Sequence, residues 1–252
     1  MPVMDEFREE REALKHGTLK QKMSYFFCYY KWHVIVIIAV IAFAVSLIYQ
    51  MVTQKDNAFF AVLVNSLELE STEEYVQKYA EYAGIDTDTY AITIDTDLHI
   101  NPDPTSYDES TMASTQKIMV YVAAGEIDIL AGGEDILNSY AYNETFYDLR
   151  EFLTPEQIAK YEPYFYYMDL AVAEAREEML ASDPDYTALP GYPDPRNPEA
   201  MEKPVPVGIY LENASGLKEH YYFTDENPVL AVTVNTPHPE AASKYIDYIF
   251  QQ

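Results

Sequence analysis

The chain has 252 residues and carries 42 acidic against 16 basic residues, a formal net charge of −26 at pH 7. Such a charge argues against nucleic-acid binding, which depends on lysine and arginine side chains that neutralise phosphates. Disorder is also disfavoured, because 48% of the residues are hydrophobic and 24 are tyrosines, which is enough to build a core.

The first element along the chain is an apolar stretch, His33–Val52, without any Asp, Glu, Lys or Arg. Twenty helical residues span roughly 30 Å, the thickness of the hydrocarbon core of a bilayer. A signal peptide has a shorter apolar region of about 7–15 residues, and a buried core helix of this length usually carries a polar stripe. The stretch therefore predicts an uncleaved transmembrane helix over residues 32–53.

Lysines indicate the orientation of this helix. Only Lys55 follows it closely, whereas four lysines precede it closely: Lys15, Lys20, Lys22 and Lys31. Positive residues stay on the cytoplasmic side, so residues 1–31 are predicted to be a cytoplasmic tail and residues 56–252 an extracytoplasmic domain of a single-pass cell-membrane protein. No cysteine follows the helix, which fits a bacterial cell envelope better than a disulfide-stapled ectodomain.

Strand and helix signals alternate in the first half of the outer domain. They predict a strand over Phe59–Val64, a helix from a capping box at Ser71 to Gly84, a strand over Tyr90–Leu98, a helix from Thr111 to Gly125, a strand over Glu126–Leu130 and a helix over Glu134–Tyr140. This order predicts an α/β domain with a doubly wound, mostly parallel sheet.

The second half is more irregular. One helix is predicted to begin at Thr154-Pro155, a second to cover Leu170–Leu180 and a third to begin at Pro239. Strands are predicted over Val205–Leu211 and Val229–Val234. Residues 184–206 are rich in proline and predict a long excursion without regular structure. The aromatic cluster at Tyr161–Tyr167 is interpreted as half-buried packing by default, and as a sugar-stacking site or a partner surface in the alternative.

Three segments resemble bacterial extracellular solute-binding proteins of the type-2 periplasmic-binding fold. Gln116–Leu130, with the following Ala131–Glu134 loop, resembles a helix–Gly–Glu–Ile–Asp–strand unit of that family. Leu230–Phe250 resembles its later strand and helix, and Pro206–Tyr210 resembles the hinge strand between its two lobes. The region between Asp148 and Val205 is short for a full second lobe, so the resemblance implies a reduced, membrane-anchored member.

The fold rule for parallel sheets places a binding site at the carboxyl ends of the strands. The predicted ligand-binding residues are those that follow the first and third strands, together with one in the hinge strand: Asn65, Ser66, Gly132, Gly133, Glu134 and Tyr210. The glycines permit close backbone approach, and the helix that begins at Glu134 has free N–H groups.

No motif for catalysis or for a cofactor is present. The chain lacks a P-loop, a dinucleotide fingerprint, His-Glu-x-x-His and Gly-x-Ser-x-Gly, and the outer histidines lack metal-ligand spacing. We therefore expect a non-enzymatic protein, without cofactor or metal, that binds a small solute. The alternative is a structural or assembly protein of the envelope whose acidic outer domain binds a protein partner.

Overall fold

A computed structural model of the chain describes residues 18–53, 55–69, 72–103, 108–182 and 189–251. Its contacts divide the chain into two compact units, Met1–Gln54 and Lys55–Gln252. In the N-terminal tail, Phe7 and Leu14 would share one face of a helix, and this spacing predicts a short amphipathic helix between Asp5 and Lys15 that lies outside the described residues.

The first unit contains one long helix, α1 (Leu19–Thr53). Its segment Lys31–Tyr49 is long and apolar enough to cross a membrane, and none of that segment is buried against other protein atoms. The helix begins well before the predicted start, because no glycine or proline lies between Leu19 and Thr53 to end it. An apolar N-terminal helix is thus present, and it extends beyond the predicted span.

The second unit is a mixed α/β fold. Its strands are β1 (Asn57–Leu63), β2 (Ser66–Glu68), β3 (Ala91–Asp95), β4 (Ile129–Gly133), β5 (Phe165–Asp169), β6 (Pro204–Tyr210), β7 (Tyr221–Phe223) and β8 (Pro228–Val232). Its α-helices are α2 (Thr72–Ala83), α3 (Glu109–Ala124), α4 (Glu134–Ala141), α5 (Leu149–Phe152), α6 (Pro155–Tyr161), α7 (Leu170–Ser182), α8 (Ser215–Lys218) and α9 (Pro239–Ile249).

Local signals account for several of these helix boundaries. Gly84 and Gly125 follow α2 and α3 in the left-handed region, with φ of 75° and 65°, as expected for residues that end helices. Thr154 and Gln157 form the predicted capping box at the start of α6. These boundaries are confirmed because each depends only on residues within one turn.

Six strands form one sheet in the order β3-β1-β4-β8-β6-β5, and β2 pairs with β7 in a separate two-stranded sheet. The strands β3, β1 and β4 run parallel, as predicted. The strand β8 pairs antiparallel with β4, and β6 and β5 continue antiparallel from it. The sheet is therefore mixed, with a parallel part built by the helix crossovers of the first half and an antiparallel part contributed by the second half.

Helices cover both faces of the six-stranded sheet. On one face α2 and α9 pack through Tyr79 and Tyr245, whose rings lie 5.0 and 4.7 Å from the Phe59 ring of β1. On the other face α3, α4 and α7 contribute Ile118, Leu137 and Ala173 to a second apolar cluster. The protein thus has the layered arrangement expected of a doubly wound sheet.

The third strand is displaced from its predicted position. It covers Ile129–Gly133 instead of Glu126–Leu130. The carboxylate of Asp128 accepts hydrogen bonds from the backbone of Phe60 (2.7 Å) and of His238 (3.0 Å). The residues before Ile129 therefore form a polar junction at the start of the strand.

The aromatic segment Tyr161–Tyr167 is packed partly into the core of the protein. Tyr161, Phe165 and Tyr166 are almost completely buried, and Phe165 begins β5, a strand that the sequence did not predict. The Pro-rich excursion contacts this strand at Pro195, whose carbonyl oxygen accepts a hydrogen bond from the backbone N–H of Tyr167 (3.1 Å). The packing interpretation is confirmed for these three rings, whereas the partner-surface alternative stays a prediction for Tyr164 and Tyr167, which are partly exposed.

Candidate functional site

Asn65 lies directly beyond β1, at the carboxyl edge of the parallel strands. It has a positive φ of 53°, and its side chain is committed to contacts inside the protein. The amide Nδ2 donates to Ile100 O (2.6 Å) and to the Asp225 carboxylate (2.9 Å), and the amide oxygen accepts from Ile100 N (2.9 Å). Asn65 therefore holds the connection after β3 in place.

Ser66 and the two glycines also face protein atoms. The Ser66 hydroxyl donates to Leu63 O (2.8 Å). A Cβ on Gly132 would lie 3.2 Å from Val64 Cβ, and one on Gly133 would lie 2.6 Å from Asp225 Cβ. The space beside these glycines, which would permit a close approach to the backbone, is thus filled by side chains of the same chain.

Asp225 links two of the predicted residues. Burial raises the pKa of its carboxyl group, and hydrogen bonds from the Asn65 side chain and the Gly133 backbone act in the opposite direction. The predicted positions Asn65 and Gly133 are consequently brought together, but through a third residue that the sequence did not single out.

Glu134 and Tyr210 form a second group. The Tyr210 hydroxyl donates to Glu134 Oε2 (2.7 Å), and burial, reinforced by Glu134, raises the pKa of Tyr210. The Arg196 guanidinium lies 3.6 Å from the centre of the Tyr210 ring and pairs with Glu212. These contacts join Glu134 of α4 to Tyr210 of β6, and Tyr210 to Arg196 of the excursion before β6.

A cavity of about 380 Å³ lies where the connection after β3 meets α4. We call it the carboxyl-edge cavity, because both segments follow parallel strands. Its lining residues are Ile100, Asn101, Pro102, Thr115, Asp135, Ile136, Asn138, Ser139, Tyr140 and Tyr192. The six predicted residues are not among them, although Asn65 positions Ile100 in its wall.

A second cavity, of about 540 Å³, lies between the end of α4 and α7. We call it the α7 cavity. Ser139 and Tyr192 line both cavities, so the two lie side by side along α4. The Tyr192 ring packs on Tyr142 with 4.6 Å between ring centres, and the Arg176 guanidinium lies 4.5 Å from the centre of the Tyr192 ring.

Tyr140 supplies an unsatisfied polar group at the carboxyl-edge cavity. Its side chain is 8% exposed, and among the described residues its hydroxyl has no hydrogen-bond partner of normal geometry. Burial raises the pKa of Tyr140 to about 12, and the neighbouring Thr115 hydroxyl acts in the opposite direction. The Thr115 hydroxyl lies close enough to affect this pKa but does not meet the Tyr140 hydroxyl in normal hydrogen-bond geometry, so an acceptor group on a bound molecule would complete the hydrogen bonding of Tyr140.

The residues predicted from the sequence lie at the same edge of the sheet as the carboxyl-edge cavity, but none of the six lines it. One side of α4 carries three polar residues, because Asp135 lies three residues before Asn138 and four before Ser139. This pattern is visible in the sequence and is the signal that indicates a polar cavity wall. Tyr192 lies in the Pro-rich excursion, and no local pattern places that residue beside α4.

Comparisons with known proteins do not extend this description. No protein-family model matches the chain, and searches of the curated proteins and of the solved structures found no match.

Proposed function

We propose that the chain is a single-pass membrane protein whose extracytoplasmic α/β unit binds a small polar solute without catalysing a reaction. The observation that carries the proposal is the carboxyl-edge cavity with the unsatisfied hydroxyl of Tyr140 in its wall. Ligand sites in open α/β sheets lie at this edge of the strands, and they combine an apolar wall with a few polar groups that converge.

The size of the two cavities suits a small molecule. Volumes of about 380 and 540 Å³ lie within the roughly 300–1,000 Å³ that ligand pockets occupy. The two cavities adjoin at Ser139 and Tyr192, so a solute that fills one has room for a substituent in the other.

The lining predicts the chemistry of the solute. Among the described residues that line the carboxyl-edge cavity, Asp135 alone carries a charge, and Thr115, Asn138 and Ser139 contribute hydroxyl and amide groups to the lining. Tyr192 adds a ring that is 39% exposed, on which an apolar face can pack. We therefore expect a neutral or cationic solute with several hydroxyl or amine groups.

The membrane assignment is supported by α1 and by the lysines before it. A helix long and apolar enough to span a bilayer is present at Lys31–Tyr49. The excess of lysine on its N-terminal side favours a cytoplasmic N-terminus, which leaves the unit Lys55–Gln252 outside the cytoplasm.

Thermal unfolding of the full chain in nonionic detergent tests the proposal against sugars, polyols, amines and amino acids. A solute that binds the folded state at a hundredfold excess over its Kd contributes about 2.7 kcal/mol. For a unit of this size we expect the midpoint to rise by roughly 5–10 °C.

Two serine variants locate the binding. The hydroxyls of Ser139 and Ser182 both donate to the carbonyl three residues earlier, but only Ser139 lines the cavities. Ser139→Trp should abolish the midpoint shift, and Ser182→Trp should keep it. An equal shift in both variants would place the site elsewhere. A protein that unfolds cooperatively and responds to none of these solutes would refute the proposed solute class.

A further inference from the structure

Three carboxylates line the two cavities beside α4 and are not paired within the protein. Asp135 lines the carboxyl-edge cavity, and Glu144 and Glu177 line the α7 cavity. All three are exposed to solvent, and none of them forms an ion pair with another of the described residues. Each cavity therefore presents negative charge that a bound cation could neutralise.

The one guanidinium in the described lining is engaged with the protein. Arg176 lines the α7 cavity, and its guanidinium donates to Pro190 O and to the Tyr192 hydroxyl (3.1 Å) and lies over the Tyr192 ring. Three carboxylates against one guanidinium give the described lining of the two cavities a formal charge of −2. An anionic ligand would be repelled, and the charge of −26 on the chain acts in the same direction.

The hydroxyl of Tyr140 is a second and independent feature that points to a ligand in the carboxyl-edge cavity. It is buried, and it has no hydrogen-bond partner of normal geometry among the described residues. A phenolic oxygen accepts hydrogen bonds as well as donating one. An ammonium group can donate to this oxygen, to the Asp135 carboxylate and to the Ser139 hydroxyl, while the Tyr140 O–H turns toward the neighbouring Thr115 hydroxyl.

The distance between the carboxylates requires an elongated ligand. Six residues separate Asp135 from the end of α4 at Ala141, which is roughly 9 Å along a helix axis, and Glu144 lies beyond that end. The two cavities adjoin at Ser139 and Tyr192. The exposed Tyr192 ring thus offers an apolar surface between the two charged ends, against which methylene groups can pack.

We propose that the two cavities form one elongated site for a linear diamine or polyamine. One ammonium binds at Asp135, a second binds at Glu144 and Glu177, and the methylene chain between them crosses the Tyr192 ring. Primary amines of this kind are protonated at neutral pH, as the side chain of lysine is. The inference rests on the proposed function, because it takes the carboxyl-edge cavity to be the solute site, and it narrows the solute to a dication.

Isothermal titration calorimetry of the full chain in nonionic detergent compares two ligands of equal length. The eight-carbon linear diamine has an ammonium at each end, and the eight-carbon amino alcohol has a hydroxyl in place of the second ammonium. In about 0.15 M salt, which screens distant carboxylates, the diamine should bind about fivefold more tightly, the gain expected from an exposed ion pair. The three-carbon diamine and amino alcohol are too short to reach both ends and should bind within about twofold of each other.

Variants of nearly equal shape locate the two ammonium groups. Removing either charged end, by Asp135→Asn or by Glu144→Gln combined with Glu177→Gln, should bring the Kd values of the two eight-carbon ligands within about twofold of each other. Glu178→Gln is the matched control, because Glu178 is exposed on α7 next to Glu177 but does not line the cavity. It should keep the fivefold difference. An unchanged unfolding midpoint confirms that each variant is folded.

The outcomes separate this inference from the proposed function. Equal binding of the two eight-carbon ligands to the unmodified chain would overturn the inference, as would a fivefold difference that persists in the variant with both Glu144→Gln and Glu177→Gln. If neither amine binds but a sugar or polyol raises the unfolding midpoint, the inference is wrong and the proposed function stands. A protein that unfolds cooperatively and responds to no solute would overturn both.

Discussion

Gly133 shows how a single residue at the carboxyl edge is determined by its neighbour. A Cβ at this position would meet Asp225 Cβ at 2.6 Å and Asp225 Cγ at 3.0 Å. These atoms belong to the base of a short side chain that also accepts hydrogen bonds from Asn65. Asp225 cannot move away without losing those bonds, so the glycine is required for packing within the protein.

Gly133→Ala should lower the free energy of unfolding by about 2 kcal/mol, the typical cost of inserting a methyl group into a filled site. Gly191→Ala is the matched control, because nothing lies within 4 Å of its Cβ position, and it should change stability by less than about 0.5 kcal/mol. Urea unfolding in nonionic detergent measures both. Equal stability of the two variants would contradict the steric argument.

At the scale of elements, Asp169 joins β5, α7 and the entry to β6. Its carboxylate accepts hydrogen bonds from the backbone N–H groups of Ala171 (3.0 Å), Glu202 (2.9 Å) and Lys203 (2.9 Å). Burial acts to raise the pKa of Asp169, but the three backbone hydrogen bonds outweigh it, and the pKa is lowered. The charged carboxylate therefore stabilises the junction.

Asp169→Asn should destabilise the protein by about 2 kcal/mol at pH 7. The hydrogen bonds to a charged acceptor become weaker, and one backbone N–H then faces the NH2 group of the asparagine, which cannot accept a hydrogen bond. The folded-state pKa lies below the unfolded value of about 3.9, so the contribution of the charge is complete above that pH and is lost as the pH falls through the folded-state pKa. The difference in the free energy of unfolding between Asp169→Asn and the unmodified chain should therefore shrink as the pH falls through the folded-state pKa.

Urea unfolding from pH 7 down to about pH 3 measures this difference. Asp88→Asn is the control, because Asp88 is exposed and should stay within about 0.5 kcal/mol of the unmodified chain at every pH. A difference for Asp169→Asn that stayed constant with pH would show that the ionised form has no special role.

At the scale of the whole molecule, the charge of −26 acts on the stability of the fold. Like charges repel more strongly in the compact state, and salt screens them, with a Debye length that falls from about 30 Å at 0.01 M to about 3 Å at 1 M. The unfolding midpoint should therefore rise as NaCl is increased over this range.

Glu178→Lys provides the matching variant, since Glu178 is exposed on α7 among other acidic residues. It should raise the midpoint at low salt and have less effect at high salt. A midpoint that falls with added salt would indicate that surface ion pairs, such as Lys203–Glu174, outweigh the general repulsion.

The sequence by itself determined the features that depend on adjacent residues. The apolar helix follows from an unbroken run without charge, the start of α6 from its Thr154–Gln157 capping box, and β1 and β8 from short apolar runs. Each of these signals can be read from neighbouring residues without knowledge of which distant residues they contact. The parallel arrangement of β3, β1 and β4 followed from their helix connections.

Only the tertiary structure decided the features that join distant parts of the chain. The strand β5 exists because Phe165–Asp169 pairs with β6, and the antiparallel direction of β8 comes from its pairing with β4. The cavity depends on Asn65 holding Ile100 and on Tyr192 reaching α4. Local periodicity records which face of an element is apolar, but it does not record which distant residue packs against that face.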